Sequence, residues 1–493
     1  VTDEKRWQPG AGLAGFLVVL ASGSVLVLEI LSLRLIAPYV GVTLETNTAV
    51  IGVALSAIAV GAWLGGAAAD RLSPTALLGP LLLGGGALVF VVTPLVRFVG
   101  DLVRGADASG VLLVAFAAVF APAALLSAVP PVVVKARLAN LDETGTIVGR
   151  LSGLGTVGSI VATFGTGFVL VAMVPTTVIL TGLGTVLVLA GLVVLWVSRG
   201  RVDRPVAGSL VLALIGVGAT TVAPNPCDLE TAYHCASVTT DPQRPTGRTL
   251  QLDTLRHSYV DLADPTYLQF EYLKVIAAAT DVFRPPGAPV RALHLGGGGL
   301  TLPRYLEAVR RGSTSLVYEI DAGVLSLDRS DLGLREGDGI RTRVQDARVG
   351  LGEQPAGRYD LVVGDAFGGV AVPWHLATRQ VVDEVARTLG PTGLYAVNLI
   401  DHGRLAFVRA ETATIAATFP HVALIGEPDT FGGDGGNFVV LASRTPLPLT
   451  ALQPRLDGMQ IKSGDELTRF VGDARVLTDD FAPVDQLVTP YRS

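Results

Sequence analysis

Two cysteines, two methionines and six histidines in 493 residues leave this chain short of the side chains that bind metals or build disulfide frameworks. Cys227 and Cys235 have no companion ligands at zinc-site spacing, which excludes a structural zinc site, and no metal is expected. Charge is scarce as well, at 16% of residues, and unevenly placed. The first 223 residues carry 12 basic and 10 acidic side chains, net +2, and the remainder carry 25 and 33, net −8. Neither part forms a basic surface, so no nucleic-acid partner is expected. All six histidines (His234, His257, His294, His375, His402 and His421) fall in the second part.

What the chain does have is apolar length. Half of its residues are hydrophobic, too many for an ordinary soluble protein of this size, and the excess sits in the first 223. Runs near the length that crosses a bilayer occur at 13–36, 47–68, 75–98, 109–134, 147–171, 176–197 and 206–222. The expectation is therefore a multi-pass helical domain of about seven spans in the cell membrane, with lipid as its partner. The first segment is too long for a secretory signal and is followed by further spans, so it is expected not to be a cleavable signal peptide.

Lys and Arg collect on one side of these spans. With the N-terminus in the cytoplasm, the inner side holds Lys5, Arg6, Arg71, Lys135, Arg137, Arg150, Arg199, Arg201 and Arg204, and the outer side only Arg34, Arg97 and Arg104. Seven spans from that start put the C-terminal part of the chain on the extracytoplasmic side. A single cysteine pair just beyond the last span agrees with a disulfide in an oxidising compartment, and two unrelated free thiols are the alternative.

Inside the spans, Glu29 and Arg34 are the ionisable candidates. Five residues apart on a helix they point about 140° away from each other, so they are not a pair within the helix. Arg34 can snorkel just before Pro38, which leaves Glu29 as the candidate polar contact in the bundle. Gly66-x-x-x-Asp70-Arg71 is a short match to the loop between the second and third helices of major-facilitator transporters, and the reading preferred is a charged turn closing helices packed through Gly61, Gly65 and Gly66.

After Pro224-Asn225-Pro226 the pattern changes. Runs 231–238 and 248–253, separated by Asp241-Pro242 and Pro245-Thr246-Gly247, predict a small antiparallel sheet in a β-rich part at 224–288, followed by a helix at 266–280. Beyond Pro289, strands at 290–295, 315–320, 341–345, 361–364, 394–399, 422–425 and 438–442 alternate with helical patterns at 302–311, 322–332, 375–389 and 404–419. Alternation of this kind predicts a doubly wound, parallel Rossmann sheet over 289–493, with ligands at the carboxyl ends of its strands. The first strand ends in Gly296-Gly297-Gly298-Gly299 and the second in Glu319-Ile320-Asp321. Glycines let backbone approach a ligand and a carboxylate accepts from ribose hydroxyls, so this is the arrangement of an adenosine-type site. Asp346 and Asp365 come after the third and fourth strands.

Leu295-Gly296-Gly297-Gly298-Gly299, Tyr318-Glu319-Ile320-Asp321, Gln345-Asp346-Ala347, the segment from Tyr359 through Asp365-Ala366, Gly390-Pro391-Thr392-Gly393 and the preceding Ser258-Tyr259-Val260-Asp261-Leu262-Ala263-Asp264 together resemble the spermidine synthase family of aminopropyltransferases. The layout, with the tail Leu477-Thr478-Asp479-Asp480-Phe481-Ala482-Pro483-Val484-Asp485, resembles bacterial membrane-fused spermidine synthases. The resemblance implies a methyltransferase-like fold and decarboxylated S-adenosylmethionine as donor, with methylthioadenosine as the other nucleoside to be bound. It implies that Gly296 to Gly299, Glu319, Asp346 and Ala347 hold this nucleoside, Glu319 at the ribose and Asp346 at the adenine amino group. Asp365 would take the proton from an attacking amine; a helix N-cap is its other reading.

Three positions depart from the family. The turn is all glycine where relatives carry an Asp, Asp365-Ala366-Phe367-Gly368 lacks a second acid, and Gln269-Phe270-Glu271 stands where relatives have Tyr-His-Glu. His294 reads as a core histidine, Trp374-His375 as the start of a helix over the site, and Asp434 as a turn residue. Three functions are compatible with these features: a membrane-anchored transferase with an amine acceptor, a catalytically silent nucleoside- or polyamine-binding or scaffold protein with homo-oligomeric or envelope partners, and a regulated transporter.

Overall fold

The structure is a computed structural model that describes residues 7–41, 44–104, 108–138, 144–198, 204–337 and 339–488. Lys5, Arg6, Arg199 and Arg201, among the residues that set the expected orientation, lie outside them. The chain divides into two compact units, Val1–Cys235 and Ala236–Arg492.

Among the described residues of the first unit, seven helices are long and apolar enough to cross a membrane. They are α1 (Ala11–Val40), α2 (Leu44–Arg71), α3 (Pro74–Gly100), α4 (Ala108–Ser127) continued as α5 (Val129–Arg137), α6 (Thr144–Phe164) continued through a π-helical stretch into α7 (Val171–Met173), α8 (Thr176–Val197) and α9 (Arg204–Val222). The fourth span breaks between α4 and α5 because Pro130 and Pro131 offer no N–H to the preceding turn. A Cβ on Gly61 would lie 2.1 Å from the Ala124 carbonyl oxygen and one on Gly65 2.7 Å from the Ala128 Cα, so these glycines let α2 lie against the fourth span. Gly66, expected in the same packing, faces open space.

At one end of this bundle Lys135 pairs with Asp70 at 2.8 Å, and Arg137 donates to the Pro9 carbonyl at 3.2 Å. At the other, Arg104 donates to the Pro38 carbonyl at 3.0 Å, and Arg97 to Thr177 Oγ1 and Asn225 Oδ1 at 3.1 and 3.0 Å. Starts and ends of the helices thus alternate between the two ends. Arg34 does not snorkel: it donates to the carbonyls of Thr231 and Ala232. The carboxylate of Glu230, in the short strand β1 (Leu229–Glu230), accepts from the Thr176 N–H at 2.6 Å, a favourable place for an anion at the start of α8. Cys227 and Cys235 are joined by a disulfide that closes this loop, as the pair reading expects. Glu29 is half-buried within α1.

The second unit opens within the first strand of an antiparallel meander, β2 (Cys235–Asp241), β3 (Arg244–Leu252) and β4 (Leu255–Asp261). Pro245 and Gly247, expected to separate strands, lie inside β3, where the pairing with β2 is irregular and a residue without an N–H is tolerated. The next helix, α10 (Glu271–Phe283), begins later than the expected position 266. Asp261 and Asp264 accept from the backbone N–H groups of Ala263, Asp264 and Thr266 and hold the intervening chain in turns.

Beyond α10 come β5 (Arg291–Leu295), α11 (Thr301–Val309), β6 (Thr314–Glu319), α12 (Ala322–Ser330), β7 (Ile340–Val344), α13 (Ala347–Gly352), β8 (Tyr359–Gly364), α14 (Arg379–Thr388), β9 (Leu389–Asp401), α15 (Ala406–Ala416), β10 (His421–Gly426), α16 (Pro428–Gly432), β11 (Gly436–Ser443), α17 (Leu449–Leu452), β12 (Gln460–Ser463), α18 (Gly464–Val471) and α19 (Val484–Leu487). They build one eight-stranded sheet in the order β12-β10-β11-β9-β8-β5-β6-β7. The β7 to β9 side is parallel, as expected, but β9, β11, β10 and β12 pair antiparallel, so the sheet is mixed. The link from β10 to β11 is too short for a crossover, which leaves only the antiparallel return. Both faces of the sheet carry apolar cores. Strand order reverses between β5 and β8, and at that switch point an open α/β sheet leaves a crevice at its carboxyl edge.

Candidate functional site

The glycine run forms the floor of that crevice. Gly296 follows β5 with φ 102°, and a Cβ there would lie 2.2 Å from the Asp365 carbonyl oxygen, so no other residue fits. Gly299 donates to Ser258 Oγ at 2.7 Å and Thr301 Oγ1 to the Tyr259 carbonyl at 2.9 Å, which ties the turn to β4. Ser258 is therefore part of the floor, a role its place in a motif did not reveal.

Glu319, at the end of β6, turns its carboxylate onto the glycine turn. Its Oε2 accepts from Gly297 N–H at 2.9 Å and Gly298 N–H at 3.3 Å, and its Oε1 from Asp321 N–H at 2.9 Å. Burial raises its pKa, and these three backbone donors pull it part of the way back. Asp321 is buried and accepts from Gly323 N–H at 2.8 Å, so it caps α12 rather than facing the crevice.

Asp346 also caps a helix. Its Oδ1 accepts from Arg348 N–H at 2.8 Å and Val349 N–H at 3.3 Å at the start of α13, whose first residue is Ala347. Its Oδ2 lies 3.0 Å from His375 Nε2, a ring nitrogen that donates to the carboxylate. His375 belongs to a single 3-10 turn, Trp374–Leu376, and not to the helix expected from 375; α14 starts only at Arg379.

Asp365 follows β8 and is no helix cap. Tyr272, from α10, donates to its Oδ2 at 3.0 Å, and Asn398, from β9, donates to its Oδ1 at 2.9 Å. Burial pushes its pKa up to about 6, against the lowering effect of these two donors. Beside it, burial and the Asp365 charge hold the Tyr272 phenol well above its ordinary range. Asn398 in turn accepts from Asn437 Nδ2 at 2.8 Å, and Asn437 lines a cavity of about 320 Å3 with Gln269, Glu271, Tyr272 and Glu427. Neither Tyr272, Asn398 nor Asn437 was singled out by sequence reasoning.

His294 sits in β5, its Nε2 3.3 Å from Ser315 Oγ, and burial lowers its pKa to about 3, so it is a neutral core histidine. Among the described residues no group of three or more His, Cys, Asp or Glu is placed to hold a metal ion. What the crevice brings together is the glycine turn, the carboxylates of Glu319 and Asp346, each held by backbone N–H groups, and the shielded carboxylate of Asp365, whose pKa burial pushes up to about 6.

No protein-family model matches the chain. It is 29% identical over 241 residues to the polyamine aminopropyltransferase of Vibrio vulnificus strain CMCP6, a match covering 45% of this chain and 76% of that protein. A probable spermidine synthase from Corynebacterium glutamicum ATCC 13032 is 27% identical in sequence and matches in structure with a TM-score of 0.48, over 52% of this chain and 96% of that one. The spermidine synthase from Thermotoga maritima is 16% identical, over 52% and 81% of the two chains, with a TM-score of 0.35. By the curated relative and by the motifs that form the crevice, this is a spermidine synthase-like protein.

Proposed function

We propose that the protein is a membrane-anchored transferase of the aminopropyltransferase type, taking decarboxylated S-adenosylmethionine as donor and a small amine as acceptor. The observation that carries this reading is Asp365, shielded at the switch point and held by Tyr272 and Asn398, with a pKa near 6. Such a carboxylate is ionised at neutral pH and still basic enough to take a proton.

In the proposed reaction, the acceptor's nitrogen lone pair forms a bond to the methylene carbon beside the donor's sulfonium. The carbon–sulfur bond breaks, its electron pair stays on sulfur as a neutral thioether, and the ammonium proton passes to Asp365. Glu319 and the glycine turn would hold the nucleoside, with Asp346 and Ala347 at its base. The Asp365 carbonyl and Ser258 leave no room for side chains at Gly296 and Gly299, so the turn is a bare backbone floor, which supports this role. The cavity beside Asn437 is the candidate route for the amine.

The anchor is proposed to span 1–223, with the β-rich part at 224–288 and the Rossmann-like part at 289–493 facing the extracytoplasmic side. The distribution of Lys and Arg and the Cys227–Cys235 disulfide support that orientation. One set of observations favours a second reading, a nucleoside- or polyamine-binding protein without turnover: the turn is all glycine and Asp365-Ala366-Phe367-Gly368 has no second acid. Mass spectrometry of reactions containing the full chain in detergent, the donor and a panel of mono-, di- and triamines decides between them. The transferase reading expects an aminopropylated product from at least one amine. Retained binding of methylthioadenosine with no product from any amine would favour the binder.

A further inference from the structure

The tail from Leu477 to Asp485 takes no part in the proposed chemistry, yet it is firmly held. Leu477 is fully buried; its N–H donates to Thr414 Oγ1 at 2.8 Å, and its carbonyl accepts from Arg379 N–H at 2.9 Å. Val484 is buried at the far end. Between them Thr478 and Phe481 exchange backbone hydrogen bonds of 3.0 and 2.9 Å, so the segment turns tightly and presents Asp479.

Asp479 meets a fork. Its Oδ1 and Oδ2 accept from Arg348 Nη1 and Nη2 at 2.8 and 2.5 Å, and its Oδ1 also accepts from Thr378 Oγ1 at 2.7 Å. Bidentate guanidinium–carboxylate pairs are directional as well as strong, so the Arg348 side chain has one orientation here. The same Arg348 Nη1 donates to the His375 carbonyl at 2.9 Å, while the Arg348 backbone N–H holds Asp346 Oδ1. His375 Nε2 then meets Asp346 Oδ2 at 3.0 Å. Arg348, His375 and Asp346 form a closed circuit, and Asp479 is joined to it through the Arg348 fork; the four residues come from the tail, the start of α13 and the 3-10 turn before α14. The 3-10 turn that carries His375 is short, and the Arg348 donation to the His375 carbonyl ties it to the start of α13.

We propose that Asp479 is a positioning residue for the recognition of the nucleoside base. Acting through Arg348, it fixes His375 and hence the one orientation in which the remaining lone pairs of Asp346 face a purine amino group. This rests on the proposed function, in which Asp346 lies at the base. A carboxylate only accepts hydrogen bonds, so a 6-amino purine is matched and a 6-oxo purine sets acceptor against acceptor. The discrimination survives only while the carboxylate cannot turn away.

The test measures the preference of the full chain in detergent for 5′-methylthioadenosine over 5′-methylthioinosine by calorimetry. For the wild type a preference of about tenfold or more is expected. Asp479→Asn, which keeps the shape and loses the charged fork, should bring the two affinities to within about threefold, mainly by weakening the adenosine ligand. A loss that is merely structural would weaken both ligands alike, and that result would overturn the proposal, as would an unchanged preference. If Asp479→Asn does not fold, Arg348→Lys, which keeps the cation and loses the fork, carries the same expectation and the same refutation. A wild type that binds neither nucleoside refutes the donor-site reading itself. A wild type that binds both equally refutes base recognition by Asp346 and this proposal with it, leaving the glycine turn and Glu319 as the nucleoside site.

Discussion

Asp365→Asn should make the second unit more stable at neutral pH, and the gain should vanish in acid. An aspartate ordinarily titrates at 3.8, and burial in the crevice moves Asp365 to about 6. At about 1.36 kcal/mol per pKa unit, keeping this group ionised in the fold costs roughly 3 kcal/mol at neutral pH. The folded group binds its proton more tightly than the unfolded one, so its contribution to stability is fully present below pH 3.8 and is lost as pH rises through about 6. Asparagine never ionises and escapes this loss. Its amide nitrogen faces Tyr272 or Asn398, both of which donate to Asp365, and that mismatch returns about 1 kcal/mol. The net gain expected is about 1 to 2 kcal/mol at pH 7.5 and about zero or slightly negative at pH 4.5. Amide hydrogen exchange of the peptides covering β5 and β8, in the full chain in detergent, reads the opening free energy at each pH. Equal values for wild type and variant at pH 7.5, or a wild type that is the more stable there, would show that Asp365 ionises without cost and would remove the argument for a tuned base.

Glu319→Gln removes an ionised acceptor at the ribose position and should weaken methylthioadenosine binding by about 1.5 to 3 kcal/mol, tenfold or more in affinity by calorimetry. Gly296→Ala places a methyl group against the Asp365 carbonyl at a φ of 102° and should cost about 2 kcal/mol or more of stability, read from the same exchange measurements. Protein purified without reductant should leave Cys227 and Cys235 unlabelled by thiol reagents, and protease added to intact spheroplasts should digest the second unit. Labelling of both cysteines, or full protection of that unit, would remove the claim of an extracytoplasmic second unit with a bridged cysteine pair.

The long apolar helices were legible because an apolar run of some 20 residues is a local signal, and the expected 176–197 coincides with α8. The crevice was legible to the extent that its parts sit at strand ends: the glycine turn, Glu319 and Asp365 each follow a short apolar strand, and the fold brings those ends to one edge. The contacts that hold them in place were not legible. Tyr272 reaches Asp365 across 93 positions and Asn398 across 33, and no periodicity marks a pairing made by the fold. His375 meets Asp346 from 29 positions away, in a segment with no regular pattern. Asp321 and Glu319 look alike as acids after one strand, and only the backbone decides that one caps α12 and the other faces the turn. The antiparallel side of the sheet escaped for a similar reason: β12 is a four-residue edge strand whose partner is set by the core beneath it.

The central claim is that Asp365 takes the proton of an attacking amine, and the most direct test is amine-dependent release of methylthioadenosine from decarboxylated S-adenosylmethionine by wild type and Asp365→Asn. The wild-type rate should rise through about pH 6, as Asp365 ionises, and level off above it. Asp365→Asn should bind methylthioadenosine as the wild type does and release none above background. Release by the variant at the wild-type rate, or a wild-type rate that does not change across pH 5 to 7, would rule out Asp365 as the base.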